Sequence, residues 1–178
     1  MVQTKQPAID LSLNAAHLSL TDHVIMKGNE IFEKYGPKIG WSELQKIIVD
    51  KECVRYPLDI VFDSVALEND EIAYPSAKGD LPEDGFTLYI HPYFSFDPTR
   101  IPAIALYQLV LINYGTFASP GDAEAFGAAA LGIDIEAYYA QLCEIADEIS
   151  TKHFVDEPVL PEVAHQGCSS GGSCGCSH

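Results

Sequence analysis

The sequence has few basic residues and no long apolar run, and both shortages exclude classes of protein. Ten Lys and Arg side chains stand against 26 Asp and Glu side chains, for a formal net charge of -16. Such a charge repels phosphate backbones and anionic membrane surfaces, so we expect no nucleic-acid binding. No apolar stretch approaches the roughly 20 residues that span a bilayer, so we also expect no membrane association.

Targeting and catalytic signatures are lacking as well. The N-terminal segment does not show the basic and then apolar pattern of a secretory signal, and we therefore expect a cytoplasmic protein with reduced thiols. The five cysteines are odd in number, which argues against a disulfide framework. The sequence contains no Gly-rich phosphate loop, no Gly-x-Ser-x-Gly elbow and no dinucleotide fingerprint, so we assign no catalytic residue.

The body of the chain has the composition of one packed domain. Hydrophobic residues make up 47% of its 178 residues, which suffices for a core. Thr21 and Ser42 are candidate N-caps of two amphipathic helices. Three later helices are predicted from the apolar segment 104–114, the capping pattern that starts at Ser119, and the helical spacing after Asp134.

Between these helical regions the hydrophobic pattern changes to strands. Residues 58–65 and 86–91 alternate with a period of two, and residues 71–74 form a shorter candidate strand. The links are too short for helical crossovers, so we expect an antiparallel sheet of about three strands. The predicted class is α+β, with this small antiparallel sheet packed against about five helices.

We divide the chain into four parts on composition. Residues 1–19 are interpreted as an irregular lead-in, 20–152 as a single globular domain, 153–164 as an acidic linker with prolines, and 165–178 as a disordered tail rich in Cys, Gly and Ser.

The tail carries the most distinctive chemistry in the sequence. Cys168, Cys174 and Cys176 stand among glycines and serines, with His165 and His178 at either end. Sulfur-rich coordination by these side chains suits zinc, copper(I), iron or an iron–sulfur cluster. Two alternatives remain open, namely a tail that forms a reversible disulfide and an exposed terminus with no dedicated ligand.

The tail resembles the Cys/His-rich C-terminal extensions of bacterial metal-handling chaperones, and its Cys-Gly-Cys element is similar to the terminus of A-type iron–sulfur carriers. The resemblance implies an accessory or chaperone-like protein. Such a protein binds or delivers a soft metal ion or an iron–sulfur component to a protein client or metal acceptor.

A second resemblance concerns the body. Residues 105–115 followed by residues 122–127 resemble the active-site region of zincin-type metallopeptidases, in which an apolar helix carries His-Glu-x-x-His and a second helix presents a Glu. The resemblance places Tyr107, Gln108 and Leu111 where the first ligand, the general base and the second ligand stand in that family, and it leaves Glu124 as a possible third ligand.

This pattern implies a relative of the zincins with a degenerate site, because neither imidazole nor the general base is present. One alternative function is therefore an enzyme or ligand-binding protein with a pocket near His91, Tyr107 and Glu124. The other interpretation is that residues 104–114 form a core helix without a functional site.

Overall fold

The computed structural model describes the backbone of residues 9–156 and the side chains of residues 19–150. Within this range the chain forms five α-helices and three strands, which confirms the α+β class. The elements are α1 (Ile9–Tyr35), α2 (Trp41–Val49), β1 (Leu58–Phe62), β2 (Ala73–Ala77), β3 (Phe86–Ile90), α3 (Ile101–Tyr114), α4 (Pro120–Leu131) and α5 (Ile135–Asp156). The predicted tail lies outside the described residues.

The first helix is longer than the sequence analysis expected. It begins at Ile9, so most of the predicted irregular lead-in is helical. Thr21, the expected N-cap, lies inside the helix, and its hydroxyl instead donates a hydrogen bond of 2.6 Å to the Asp122 carboxylate on α4. The last helix likewise continues to Asp156, past the expected start of the linker at residue 153.

The sheet is mixed, and the prediction of an all-antiparallel sheet was wrong. The strand order is β1-β3-β2, with β3 antiparallel to β2 and parallel to β1. Each link taken alone is too short for a crossover, but β1 and β3 are joined by all of residues 63–85. That connection includes β2 and is long enough to return the chain in the parallel direction.

Helix α3 forms the centre of the core, as its nearly continuous apolar sequence predicted. It packs against β2 and β3 on one side and against α4 on the other, and α4 in turn packs against α1. The fully buried Tyr138 on α5 donates a hydrogen bond of 2.7 Å from its hydroxyl to the Ala103 carbonyl on α3. The α3 helix is thus held from both sides, which fixes the side chains that it presents to neighbouring cavities.

Over the part of the chain described here, no helix is both long enough and apolar enough to cross a membrane.

Candidate functional site

A cleft of about 370 Å³, which we call the central cleft, lies where β2, α3, α4 and α5 meet. Tyr107 and Gln108 enter it from α3 and Glu124 from α4, so the structure brings together two of the three side chains expected to form a pocket. Ile104 also lines it from α3. The other lining residues come from α5, from the start of β2 and from the segment before β2; they include Asp70, Glu71, Ala73, Tyr139, Leu142 and Cys143.

Gln108 is anchored to the outer edge of the sheet. Its side-chain Nε2 donates a hydrogen bond of 3.1 Å to the Ala73 carbonyl. Strand β2 has β3 as its one partner strand in the described sheet, and the Ala73 carbonyl points away from β3 toward α3. The zincin-like position of the general base is therefore occupied by an amide that ties α3 to the edge strand.

The other end of this amide has no protein partner. The Gln108 Oε1 atom is buried and accepts no hydrogen bond from any side chain or backbone group in the described region. A buried acceptor without a partner costs about 1–3 kcal/mol relative to a satisfied one.

The titratable groups of the cleft favour a donor-bearing or cationic ligand. Three carboxylates line it (Asp70, Glu71 and Glu124), and its lining contains no Lys, Arg or His. Burial, and secondarily the charge of Glu124, raise the pKa of Tyr107. The Tyr107 hydroxyl therefore stays protonated at neutral pH and can donate a hydrogen bond.

His91 is placed elsewhere. It follows β3 and caps the short 3-10 helix Pro92–Phe96, where its Nδ1 accepts a hydrogen bond of 3.3 Å from the Tyr93 backbone N–H. It is not among the residues that line the central cleft. Of the three side chains expected to form a pocket, Tyr107 and Glu124 line the central cleft and His91 does not.

The zincin-like ligand positions do not form a metal site in this chain. Leu111 stands one helical turn after Tyr107, is half-buried, and does not line the cleft. Among residues whose placement is described, no three His, Cys, Asp or Glu side chains are grouped so that they can hold a metal ion. The candidate tail ligands Cys168, Cys174, Cys176, His165 and His178 lie outside the described residues.

The two cysteines of the body are free and half-buried. The Cys53 thiol donates a long hydrogen bond of 3.4 Å to the Asp50 carboxylate. Burial, followed by this hydrogen bond, raises the pKa of Cys53 to about 12. Cys53 is therefore a protonated thiol at neutral pH, unsuited to act as a nucleophile or metal ligand.

Sequence reasoning did not place Tyr139 and Cys143 in the cleft. A hydrogen bond with Cys143 is the main cause that raises the pKa of Tyr139. Their separation of four residues on a helix is the signal that places them on one face. That face could not be assigned to the cleft without the packing of α5 against α3 and α4.

Comparison with known proteins assigns no family to this chain: no family model matches it, and no match was found among curated proteins or solved structures. The resemblances to zincins and to metal-handling tails therefore depend on the residue pattern alone.

Proposed function

We propose that this protein is an accessory or chaperone-like protein that binds or delivers a soft metal ion or an iron–sulfur component through its C-terminal tail. The observation that carries the proposal is the distribution of thiols. Three of the five cysteines stand within the last eleven residues, at positions 168, 174 and 176. In the described body, by contrast, no three His, Cys, Asp or Glu side chains are grouped so that they can hold a metal ion.

The tail residues have the chemistry for this role. Thiolates of Cys168, Cys174 and Cys176, with the imidazole of His165 or His178, can supply four soft ligands. Because the thiols must lose protons to bind, metal uptake releases protons and becomes weaker at low pH. The chain order places these ligands after the prolines at positions 158 and 161.

The folded body would recognise the client or metal acceptor. Its central cleft offers three carboxylates and the protonated hydroxyl of Tyr107. These groups suit a basic or donor-bearing segment of a partner protein. In this proposal the cleft selects the partner, and the tail carries the cargo.

Metal content tests the proposal directly. Full-length protein purified without oxygen should contain zinc, copper or iron, and a chain truncated after Ala164 should lose it. Equal metal content in the two forms contradicts the proposal. An intramolecular disulfide in the full-length protein, seen as a mass decrease of about two daltons in place of bound metal, would instead support the redox alternative.

A second candidate function is a ligand-binding relative of the zincin-like hydrolases with a degenerate site. The observation that favours it is that Tyr107, Gln108 and Glu124 share one cleft beside the free edge of β2. If this geometry descends from a zincin, restoring the ligands should restore a zinc site.

The test starts from a full-length background in which the three tail cysteines are replaced by serine. Into it are introduced Tyr107→His, Gln108→Glu and Leu111→His. We expect this variant to bind one zinc ion, and a further Glu124→Ala substitution to weaken that binding about tenfold or more. A folded variant that binds no zinc, or binds it equally well without Glu124, rejects the second candidate.

A further inference from the structure

A separate cavity of about 320 Å³, which we call the basic cavity, lies at the C-terminal end of α3. Helix α1 contributes His23 and Lys27, which are one turn apart, and the turn after α2 contributes Lys51 and Arg55. The last turn of α3 contributes Asn113 and Tyr114, and the lining also includes Glu52, Cys53 and Phe126.

The charge of this cavity is opposite to that of the protein. Three of the ten Lys and Arg side chains line it against a single carboxylate, Glu52, which gives the lining a net charge of +2 in a chain of net charge -16. Glu52 also forms an ion pair of 2.8 Å with Lys34, which is not a lining residue of the cavity. The cavity is therefore a local region of positive potential on an acidic molecule.

Two of the three cations have no ion-pair partner among the side chains that the structure describes. Lys27 forms an ion pair of 2.7 Å with Glu30. Neither Lys51 nor Arg55 has a carboxylate within 4.0 Å among the described side chains; Arg55 lies 6.0 Å from the centre of the Tyr56 ring. The negative end of α3 is equivalent to roughly half an elementary charge, which is too small to balance them.

The wall that carries these cations is fixed to the core. The Asn113 side chain accepts a hydrogen bond of 2.9 Å from the Arg55 backbone N–H and donates one of 3.0 Å to the Cys53 carbonyl. These bonds tie the turn after α2 to the end of α3 across 58 and 60 positions of sequence. The cavity is thus formed by tertiary structure and not by side chains that happen to project from one loop.

Neutral donors complete the lining. The Tyr114 ring packs edge-on against the His23 ring, with ring centres 5.8 Å apart. The charges of Arg55 and Lys27 both act on the Tyr114 hydroxyl, which burial nevertheless keeps protonated by raising its pKa. Tyr114 therefore presents an O–H donor among the cations.

We propose that the basic cavity binds a small molecule through an oxyanion, either a phosphate or a carboxylate group. Lys27, Lys51 and Arg55 supply charge-assisted hydrogen bonds, and the planar guanidinium of Arg55 can contact two oxygens at once. A volume of about 320 Å³ exceeds that of the anionic group alone and falls at the lower end of small-molecule sites. The ring of Tyr114 provides an apolar surface for the rest of the ligand.

Calorimetric titration of the full-length, metal-free protein tests this site with two probes, inorganic phosphate and citrate, at low ionic strength. The pocket variant combines Lys51→Gln with Arg55→Gln. Its matched control combines Lys38→Gln with Lys46→Gln, which changes the net charge equally at exposed positions away from the cavity. A titration with sodium chloride at equal ionic strength measures the nonspecific salt effect.

We expect saturable binding of at least one probe, weakened about tenfold or more in the pocket variant and less than twofold in the control. Preference for phosphate or citrate then identifies the oxyanion. Saturable binding of neither probe overturns the proposal, as does equal weakening by both variants. Lys51 and Arg55 are exposed, so both variants should unfold at the temperature of the original protein; Lys27→Gln provides a second pocket variant with the same expected loss of affinity.

Discussion

Replacing Gly28 by alanine tests how closely α1 and α4 pack. Gly28 is buried, and an alanine Cβ at this position would lie 2.6 Å from the Phe126 carbonyl oxygen and 2.7 Å from the Ala129 Cβ. Ordinary contacts between such atoms are about 3.5–4.0 Å, so the overlap is close to 1 Å. These atoms belong to the backbone and first side-chain carbon of a packed helix, and they cannot move aside as the end of a long side chain can.

The expected effect follows from two opposing terms. Alanine favours a helix over glycine by about 1 kcal/mol. Overpacking of a rigid core typically costs about 1–3 kcal/mol and occasionally more. Because the added Cβ would overlap two rigid groups at once, we expect Gly28→Ala to lower the free energy of unfolding by about 2 kcal/mol net. With a urea m-value of about 2 kcal/mol/M, the unfolding midpoint falls by about 1 M.

Gly121 offers the matched control. It is exposed in the first turn of α4, and an added Cβ would meet no atom nearer than the Ser119 Oγ at 3.8 Å. Gly121→Ala should therefore raise the free energy of unfolding by about 0.4–1 kcal/mol. If Gly28→Ala matches or exceeds the original protein in urea while Gly121→Ala behaves as expected, the close approach of α1 to α4 is refuted.

Three further predictions concern a helix cap, an acid-sensitive carboxylate and a thiol. Ser119 exchanges hydrogen bonds with Asp122 at the start of α4. Ser119→Ala should therefore lower the free energy of unfolding in urea by about 1 kcal/mol, and an unchanged unfolding midpoint would exclude the cap. A hydrogen bond from Lys34 is the main cause that lowers the pKa of the Asp50 carboxyl. A lowered folded-state pKa stabilises the protein above the unfolded value of about 3.9, and this contribution is lost as the pH falls. In melts between about pH 4 and pH 2, Asp50→Asn should therefore lose less stability than the original protein, and an equal loss would refute the pairing. Because the pKa of Cys53 is raised to about 12, iodoacetamide at about pH 8 should label Cys53 in guanidinium but not in the folded protein; rapid labelling of the folded form would contradict its burial.

Local signals in the sequence predicted the second half of the fold well. Capping residues and glycines mark the ends of two helices, the apolar α3 and α4 with its Ser119-Pro120 start. Both helices form where expected. Thr21 gave a misleading signal, because its hydroxyl bonds to Asp122, 101 positions away, instead of capping a helix. The parallel pairing of β1 with β3 was missed for a similar reason, since it depends on the order of the strands in space: β3 lies between β1 and β2, whereas a simple meander would place β2 in the middle.

The two sites differ in the same way: the sequence partly predicted the central cleft and did not predict the basic cavity. The resemblance to the zincin pattern implied a pocket near His91, Tyr107 and Glu124, and the central cleft contains Tyr107 and Glu124 but not His91. The basic cavity could not be predicted, because His23, Lys51 and Tyr114 come from three separate parts of the sequence. Only the packing of α1 and the Asn113 contacts with the turn bring these residues together.

The central claim is that the tail, and not the folded body, binds the metal. Its most direct test is the metal stoichiometry of two full-length variants purified without oxygen, one with Cys168, Cys174 and Cys176 replaced by serine and one with Cys53 and Cys143 replaced. We predict that the tail variant loses bound zinc, copper or iron, and that the body variant keeps the stoichiometry of the original protein. Metal retained in the tail variant, or lost equally from both, would contradict the account.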